Sequence, residues 1–262
     1  MPSLADMPLS TISHDGHVAV ISMAAPAKRN TLSLAMIKEL SSAFDRLRAA
    51  RAVVLRSVAD ATVWCAGFDI GALSPGFDPL AQDGDLQGLF RRIQDHPAPV
   101  IAMLHGSAWG GGTDLALRCD ILIGDPTCTL AFTPARLGLP YDADGLLNVV
   151  MRAGPAVALE MFSTADPVPA ERALRLGLLN HLVPEAELEA FTLAMARRIA
   201  GNAPLSVTSA KQQVRALATA IALSSATAQR FAEGRQKALQ SHDFGEGLAA
   251  FHARRPPDFQ GR

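Results

Sequence analysis

The sequence predicts an α/β fold with parallel strand pairing, followed by a helical C-terminal part. Three observations carry this. Short apolar runs alternate with helix-spaced stretches over the first two-thirds of the chain. The connections between them are short. From about residue 185 onward only helical patterns remain.

His17–Met23 is apolar and β-branched and reads as a strand. Pro26–Thr31 is a polar break. Ser33 is placed to cap a helix in which Leu34, Ile37, Leu40, Phe44 and Leu47 fall three or four apart. Ala52–Arg56 is a short buried strand. A long polar stretch with Gly76, Pro79 and Gly84 follows and reads as a surface loop or mobile segment. Leu86–Gln94 is a helix, Pro99–Leu104 a buried strand, and Gly110–Gly112 opens into another helix. Ile121–Ile123 returns as strand. Leu188–Ala200, Pro204–Leu217, Thr227–Leu239 and Glu246–Arg254 are the closing helices. The composition shift near Gly201–Pro204 divides a core, 1–200, from a helical region, 201–262.

Lys and Arg number 24 against 25 Asp and Glu, a formal charge of −1. That balance excludes a basic nucleic-acid footprint and an acidic tail. With 49% hydrophobic and 19% charged residues, the chain is globular rather than disordered. A chain this long buries roughly 70–75% of its unfolded surface and needs no staples. Cys65, Cys119 and Cys128 are odd in number and lack C-x-x-C spacing, so they read as small buried hydrophobes and not as a disulfide or zinc framework. The first residues resemble neither a secretory signal nor a transit peptide. The charge-free segments Pro97–Thr113 and Ala216–Gln229 do not read as bilayer spans. The expectation is a soluble, cytoplasmic protein.

No G-x-S-x-G elbow, H-E-x-x-H, P-loop or G-x-G-x-x-G after a strand is present. Three segments remain. Trp64–Ile70 follows a strand. His105–Gly112 joins a strand to a helix, and its glycine triplet allows backbone N–H groups to face a ligand at a helix N-terminus, although such a run also serves as a plain tight turn. Phe132–Tyr141 holds the chain's one tyrosine, a residue that serves packing as readily as chemistry.

Together these segments resemble the crotonase (enoyl-CoA hydratase/isomerase) superfamily. Lys28-Arg29-Asn30-Thr31-Leu32-Ser33 is similar to its K-R-N-A-L-S segment, and Cys65–Ile70 to its S-A-G-x-D-[IL] segment. His105-Gly106 with Gly110–Asp114, Ala170–Val183 and Glu246–Pro256 match three further blocks, so the resemblance covers nearly the whole chain. Within the family, Phe77–Leu80, Gly106–Gly111 and Thr133–Tyr141 are most like its decarboxylating members, which act on methylmalonyl-CoA. The resemblance implies a spiral of ββα turns, with a C-terminal helical region that builds homotrimers or hexamers. It also implies an acyl-CoA thioester as substrate, with no further cofactor, no metal, and neither nucleic acid nor membrane as partner.

The resemblance implies that the thioester carbonyl lies between the backbone N–H groups of Phe68 and Gly111, which stabilise an enolate oxyanion. A main-chain donor does not depend on the side chain, so Phe68 can stand where the decarboxylating members carry histidine. Hydration requires two carboxylates; the first matches Asp114, and the second matches Ala135, which cannot do acid–base work. Losing CO₂ from a malonyl-type thioester requires only that the carboxylate be held out of the thioester plane. The hydroxyls of Thr133 and Tyr141 are placed for that, with Tyr141, Asp114 or water supplying the returning proton. Ala66, Asp69 and Ile70 are implied along the CoA path, Arg29 near the phosphates, and Arg254 at a basic position near the C-terminus, from the same or a neighbouring subunit. Decarboxylation is the leading expectation. The alternatives are a hydratase or isomerase with Asp114 as sole carboxylate, and a non-catalytic acyl-CoA binder.

Overall fold

The structure is a computed structural model and describes residues 8–74, 77–81, 84–218, 220 and 224–262. The chain opens with a hairpin of β1 (Ser10–Asp15) and β2 (Val18–Met23), followed by α1 (Leu34–Arg46). Three passes follow, each made of two strands and a helix. They are β3 (Ala52–Ser57), β4 (Val63–Cys65) and α2 (Asp85–Gln94); β5 (Val100–Leu104), β6 (Ser107–Trp109) and α3 (Gly111–Arg118); and β7 (Ile121–Gly124), β8 (Thr129–Ala131) and α4 (Ala143–Thr164). Next come β9 (Val168–Pro169), α5 (Ala170–Arg175), β10 (His181–Leu182) and α6 (Leu188–Ala200). The chain closes with α7 (Pro204–Ala218), α8 (Ser225–Leu239) and α9 (His242–Ala253).

Each pass contributes its first strand to one sheet and its second to another. The larger sheet runs β1-β2-β3-β5-β7-β10 and the smaller β4-β6-β8-β9. The pairs β2–β3, β3–β5, β5–β7, β4–β6 and β6–β8 are parallel. This is the spiral of ββα turns that the resemblance implies. Parallel strands are covered on both faces, which is why β2 and β5 are buried at every residue. Alternation still sorts their side chains. Ala19, Ile21 and Met23 face α1 and α2, whereas Val18 and Val20 join Ala52, Val54 and Ile101 under Leu188 and Ala196 of α6.

Helix α1 starts where expected: Ser33 Oγ accepts from the Met36 N–H at 3.3 Å, and Met36, Ile37, Leu40 and Phe44 are buried. The loop expectation around residue 76 lies partly outside the described residues. Pro79 and Gly84 are described and lie in no helix or strand. All three cysteines are free and buried, and burial pushes each thiol up to about 12.

The longest described helix, α4, was not anticipated. Its Asp142 cap bonds the Gly145 N–H, and it kinks at Gly154 (φ 83°), before Pro155. Its length and apolarity alone would let it cross a membrane. Midway, however, Arg152 donates to the carbonyls of Leu117 and Cys119, docking the helix on α3. Helix α9 begins at His242, not Glu246, because Ser241 Oγ accepts from the Phe244 N–H and starts it earlier. Its Phe244 and Leu248 then pack with Phe68, Ile70, Leu73 and Leu139.

Candidate active site

Two loops meet where the smaller sheet ends. After β4 the chain turns through Gly67 with φ +87°. A Cβ there would stand 2.4 Å from the Trp109 carbonyl oxygen, so only glycine permits this approach. The Gly67 carbonyl accepts from the Leu32 N–H at 2.8 Å. In a trans peptide the N–H points opposite the C=O, so this bond turns the Phe68 N–H away from Leu32 and toward the second loop. In that loop Gly110 donates to the Ala131 carbonyl and accepts from Asp114, and Gly111 is the first residue of α3. Its N–H is one of the helix's unpaired initial donors. Among the described residues, neither the Phe68 nor the Gly111 N–H has an acceptor.

Asn30 holds the first loop from behind. Buried at φ 49°, it accepts from the Ala25 N–H at 2.9 Å and donates to the Trp64 carbonyl at 3.1 Å. Thr113 does the same for the second, its hydroxyl shared between the carbonyls of Ala108 and Ala131. Neither role was apparent in the sequence.

The two N–H groups edge a cavity of about 60 Å³, whose wall includes Ala66, Ile70, Leu80, Leu137, Thr133 and Tyr141. That is room for roughly two waters or a short acyl head. The Thr133 hydroxyl has no protein partner among the described residues. Tyr141 is different. Its hydroxyl donates to Asp114 Oδ2 at 3.1 Å, and its ring packs against Phe132 and Phe162, each 5.1 Å between centroids. Burial, and then the charge of Asp114, hold the phenol well above its ordinary value.

Asp114 is fully buried and does not line the cavity. Its Oδ1 accepts from Arg118 Nε at 3.0 Å and Asn148 Nδ2 at 3.2 Å, and Arg118 itself lies 4.8 Å over the Phe90 ring. Asp114 therefore reaches the cavity only through Tyr141. The i, i+4 spacing of Asp114 and Arg118 was the readable signal for this pair. Ala135, matched to a hydratase carboxylate, is exposed and faces an outer groove beside Glu233 and Lys237 of α8. A side chain at 135 would project there, away from the acyl cavity.

The residues implied along CoA are divided. Ala66 and Ile70 line the cavity. Asp69 caps the turn after it, accepting from Gly71 at 3.0 Å, and borders a neighbouring cleft with Lys28 and Ser33. Arg29 is exposed, and its carbonyl accepts from the Ala66 N–H at 2.9 Å. Arg254 is exposed at the end of α9, outside the cavity wall.

Beside Tyr141, Asp142 accepts from Gln87 Nε2 at 3.1 Å, while its Oδ1 is buried without a partner among the described residues. Burial, and then the charge of Asp114, raise its pKa from 3.8 to about 6. The folded state thus binds this proton more tightly than the unfolded chain. The group's contribution is fully favourable below the unfolded value and is lost as pH rises through about 6. Asp142→Asn should stabilise the protein at pH ~7.5 by roughly 1–3 kcal/mol relative to its effect at pH ~4. Urea unfolding at both pH values checks this, and an equal effect at the two would refute it.

Comparison with known proteins places this geometry. The family model described as enoyl-CoA hydratase/isomerase matches residues 13–262. The chain is 39% identical over 247 residues to the methylmalonyl-CoA decarboxylase of Escherichia coli (strain K12), covering 93% of this chain and 95% of that one. It is 32% identical over 241 residues to the carnitinyl-CoA dehydratase of Proteus mirabilis (strain HI4320), covering 90% and 92%. A solved structure of methylmalonyl-CoA decarboxylase in complex with 2-nitronate-propionyl-CoA superimposes with a TM-score of 0.94 at 37% identity, covering 97% of this chain and 99% of that one.

Proposed function

The chain belongs to the enoyl-CoA hydratase/isomerase family, and from that premise we propose that it decarboxylates methylmalonyl-CoA or a similar short malonyl-type thioester, without a cofactor. One observation carries the reading: the small cavity joins two unpaired N–H donors to a free Thr133 hydroxyl, with no carboxylate among its described wall residues. Hydration needs a carboxylate to position water and move a proton. With Asp114 tied to Arg118 behind Tyr141, the cavity does not supply that carboxylate, although hydratases are among the chain's relatives.

The thioester oxygen accepts from Phe68 and Gly111. Thr133 donates to the substrate carboxylate and turns it out of the thioester plane. The carboxylate carbon–Cα bond breaks, CO₂ leaves, and the electron pair moves into an enolate whose oxygen the two N–H groups hold. Apolar walls withhold water from the carboxylate and favour its loss. Cα then takes a proton. Tyr141 is a poor source, because giving up its proton would leave a phenolate against Asp114, so the donor is a water that enters after CO₂ has left.

Two further parts of the reading rest on surfaces. CoA lies along Ala66, Asp69 and Ile70, with its phosphates toward Arg29 and Arg254. Leu205 and Leu217 of α7 and Leu159 of α4 are 85%, 76% and 70% exposed, faces that suit contacts between copies in a trimer or hexamer. A cytoplasmic, membrane-free setting fits the chain's charge and the docking of α4.

Turnover against methylmalonyl-, malonyl- and crotonyl-CoA, with CO₂ release and absorbance followed together, tests the assignment. Thr133→Val should slow decarboxylation roughly 10- to 150-fold, the value of a hydrogen bond to a charged group. Tyr141→Phe removes a donor from Asp114 and not from substrate, and should slow it less. Brisk hydration of crotonyl-CoA without CO₂ release would overturn the reading.

A further inference from the structure

One side chain joins three segments above the cavity. Arg235 of α8 donates through Nε to Asp78 Oδ2 at 2.9 Å, through Nη2 to Asp78 Oδ1, and through Nη1 to the Pro140 carbonyl. The arginine side chain is 14% exposed and that of Asp78 24%, so the pair is largely shielded from water. Asp78 Oδ1 also accepts from the Leu80 N–H at 2.9 Å, which shapes the turn. On one side of Asp78, Phe77 stacks on Phe68 with centroids 6.3 Å apart. On the other, Pro79 and Leu80 line the cavity. Pro140 immediately precedes Tyr141, on the same cavity's wall.

The remaining backbone bonds of Phe77–Ala81 among the described residues are local: Phe77 N–H to Ser74, Ala81 N–H to Asp78 and Gly84 N–H to Ala81. Arg235 is the polar tie across 157 positions that fixes where this roof sits. A guanidinium grips a carboxylate with two donors and still has one for a carbonyl; an ammonium cannot reproduce that fork.

We propose that Arg235 is a positioning residue that sets the acyl size the cavity accepts, by pinning Phe77–Leu80 over Phe68 and Pro140 beside Tyr141. The choice of substrates rests on the acyl-CoA reading above; the position of the roof does not. With the fork removed, the roof lifts, larger acyl heads enter, and water reaches the substrate carboxylate before CO₂ leaves.

The experiment compares the full-length protein with Arg235→Gln, Arg235→Lys, Asp78→Asn and the Arg235→Gln/Asp78→Asn pair. The first readout is amide hydrogen exchange. Exchange at Phe77, Asp78, Leu80 and Ala81 should rise at least tenfold in each variant, with α1 unchanged. The double variant should add little to either single change, because both break one interaction. The second readout is the ratio of kcat/KM for methylmalonyl-CoA to that for a malonyl thioester bearing a butyl branch. It should fall at least tenfold in Arg235→Gln, with Arg235→Lys failing to restore it. Unchanged exchange at 77–81 overturns the latch, and altered exchange with an unchanged ratio overturns its role in selectivity. If the unmodified protein decarboxylates no malonyl thioester, the functional reading fails. Acyl-CoA binding by calorimetry across chain lengths then reads selectivity, and an unchanged length preference in Arg235→Gln overturns the proposal.

Discussion

Gly67→Ala should cut decarboxylation roughly 10²- to 10³-fold per folded molecule. The added Cβ would meet the Trp109 carbonyl oxygen at 2.4 Å and Gly111 N at 3.2 Å, both backbone atoms. At φ +87° the alanine is also strained in its own right. The loops must separate, and each carries one of the two N–H donors. Losing one such donor costs about 2.7–4 kcal/mol of transition-state stabilisation, which sets the range. Acyl-CoA binding should weaken far less, since most of the ligand lies outside the hole. Steady-state kinetics on protein whose circular dichroism matches the parent decides it. A variant retaining more than half the parental kcat would show that the paired N–H groups do not hold the enolate.

Asp114→Ala should cost about 3–5 kcal/mol of folding stability, the usual penalty for stranding one member of a buried ion pair. The loss would fall on Arg118, whose side chain is 4% exposed and whose Nε bonds Asp114 at 3.0 Å. Tyr141 and Asn148 lose an acceptor as well. A drop in Tm on the order of 10 °C follows for a chain of this size. Replacing both partners, as Asp114→Leu with Arg118→Met, should recover much of it, because the charge is then no longer stranded. If Asp114→Ala melts with the parent, the network is not structural, and Asp114 returns as a candidate acid.

The parts of the fold legible in sequence were those with a period or an uninterrupted apolar run. A-V-V-L in β3 and V-I-A-M-L in β5 could be little else than buried strands, and Ser33 before a three-and-four spacing marked α1. The second sheet escaped notice because β4, β6 and β8 have three residues each, too few to show alternation. Strand β1 escaped because it is an edge strand with four of six residues exposed. Helix α4 has a polar stripe of Asp144, Asn148 and Arg152 in its first half, but Gly154 and Pro155 break the spacing midway, so no continuous helical pattern survives.

The site divides along the same line. Loops whose backbone does the work were readable through their glycines. The family resemblance put Thr133, Tyr141, Phe68 and Gly111 together, and they share one cavity. It could not say that Ala135 faces outward, that Tyr141 turns its proton to Asp114, or that Arg235 reaches back to Asp78. Those facts depend on side-chain direction and on pairs far apart in sequence, for which one chain carries no signal.

The packing of α9 also fixes an order of events during synthesis. Phe68, Ile70 and Leu73 emerge from the ribosome about 170 residues before Phe244 and Leu248, the side chains that cover them. At roughly 5–20 residues per second, that apolar wall stays uncovered for on the order of ten seconds or more. A nascent chain in that interval is a natural client for chaperones that bind exposed apolar segments. Removing the residues from Ser241 onward would leave that apolar wall, at the rim of the chain's own cavity, permanently uncovered.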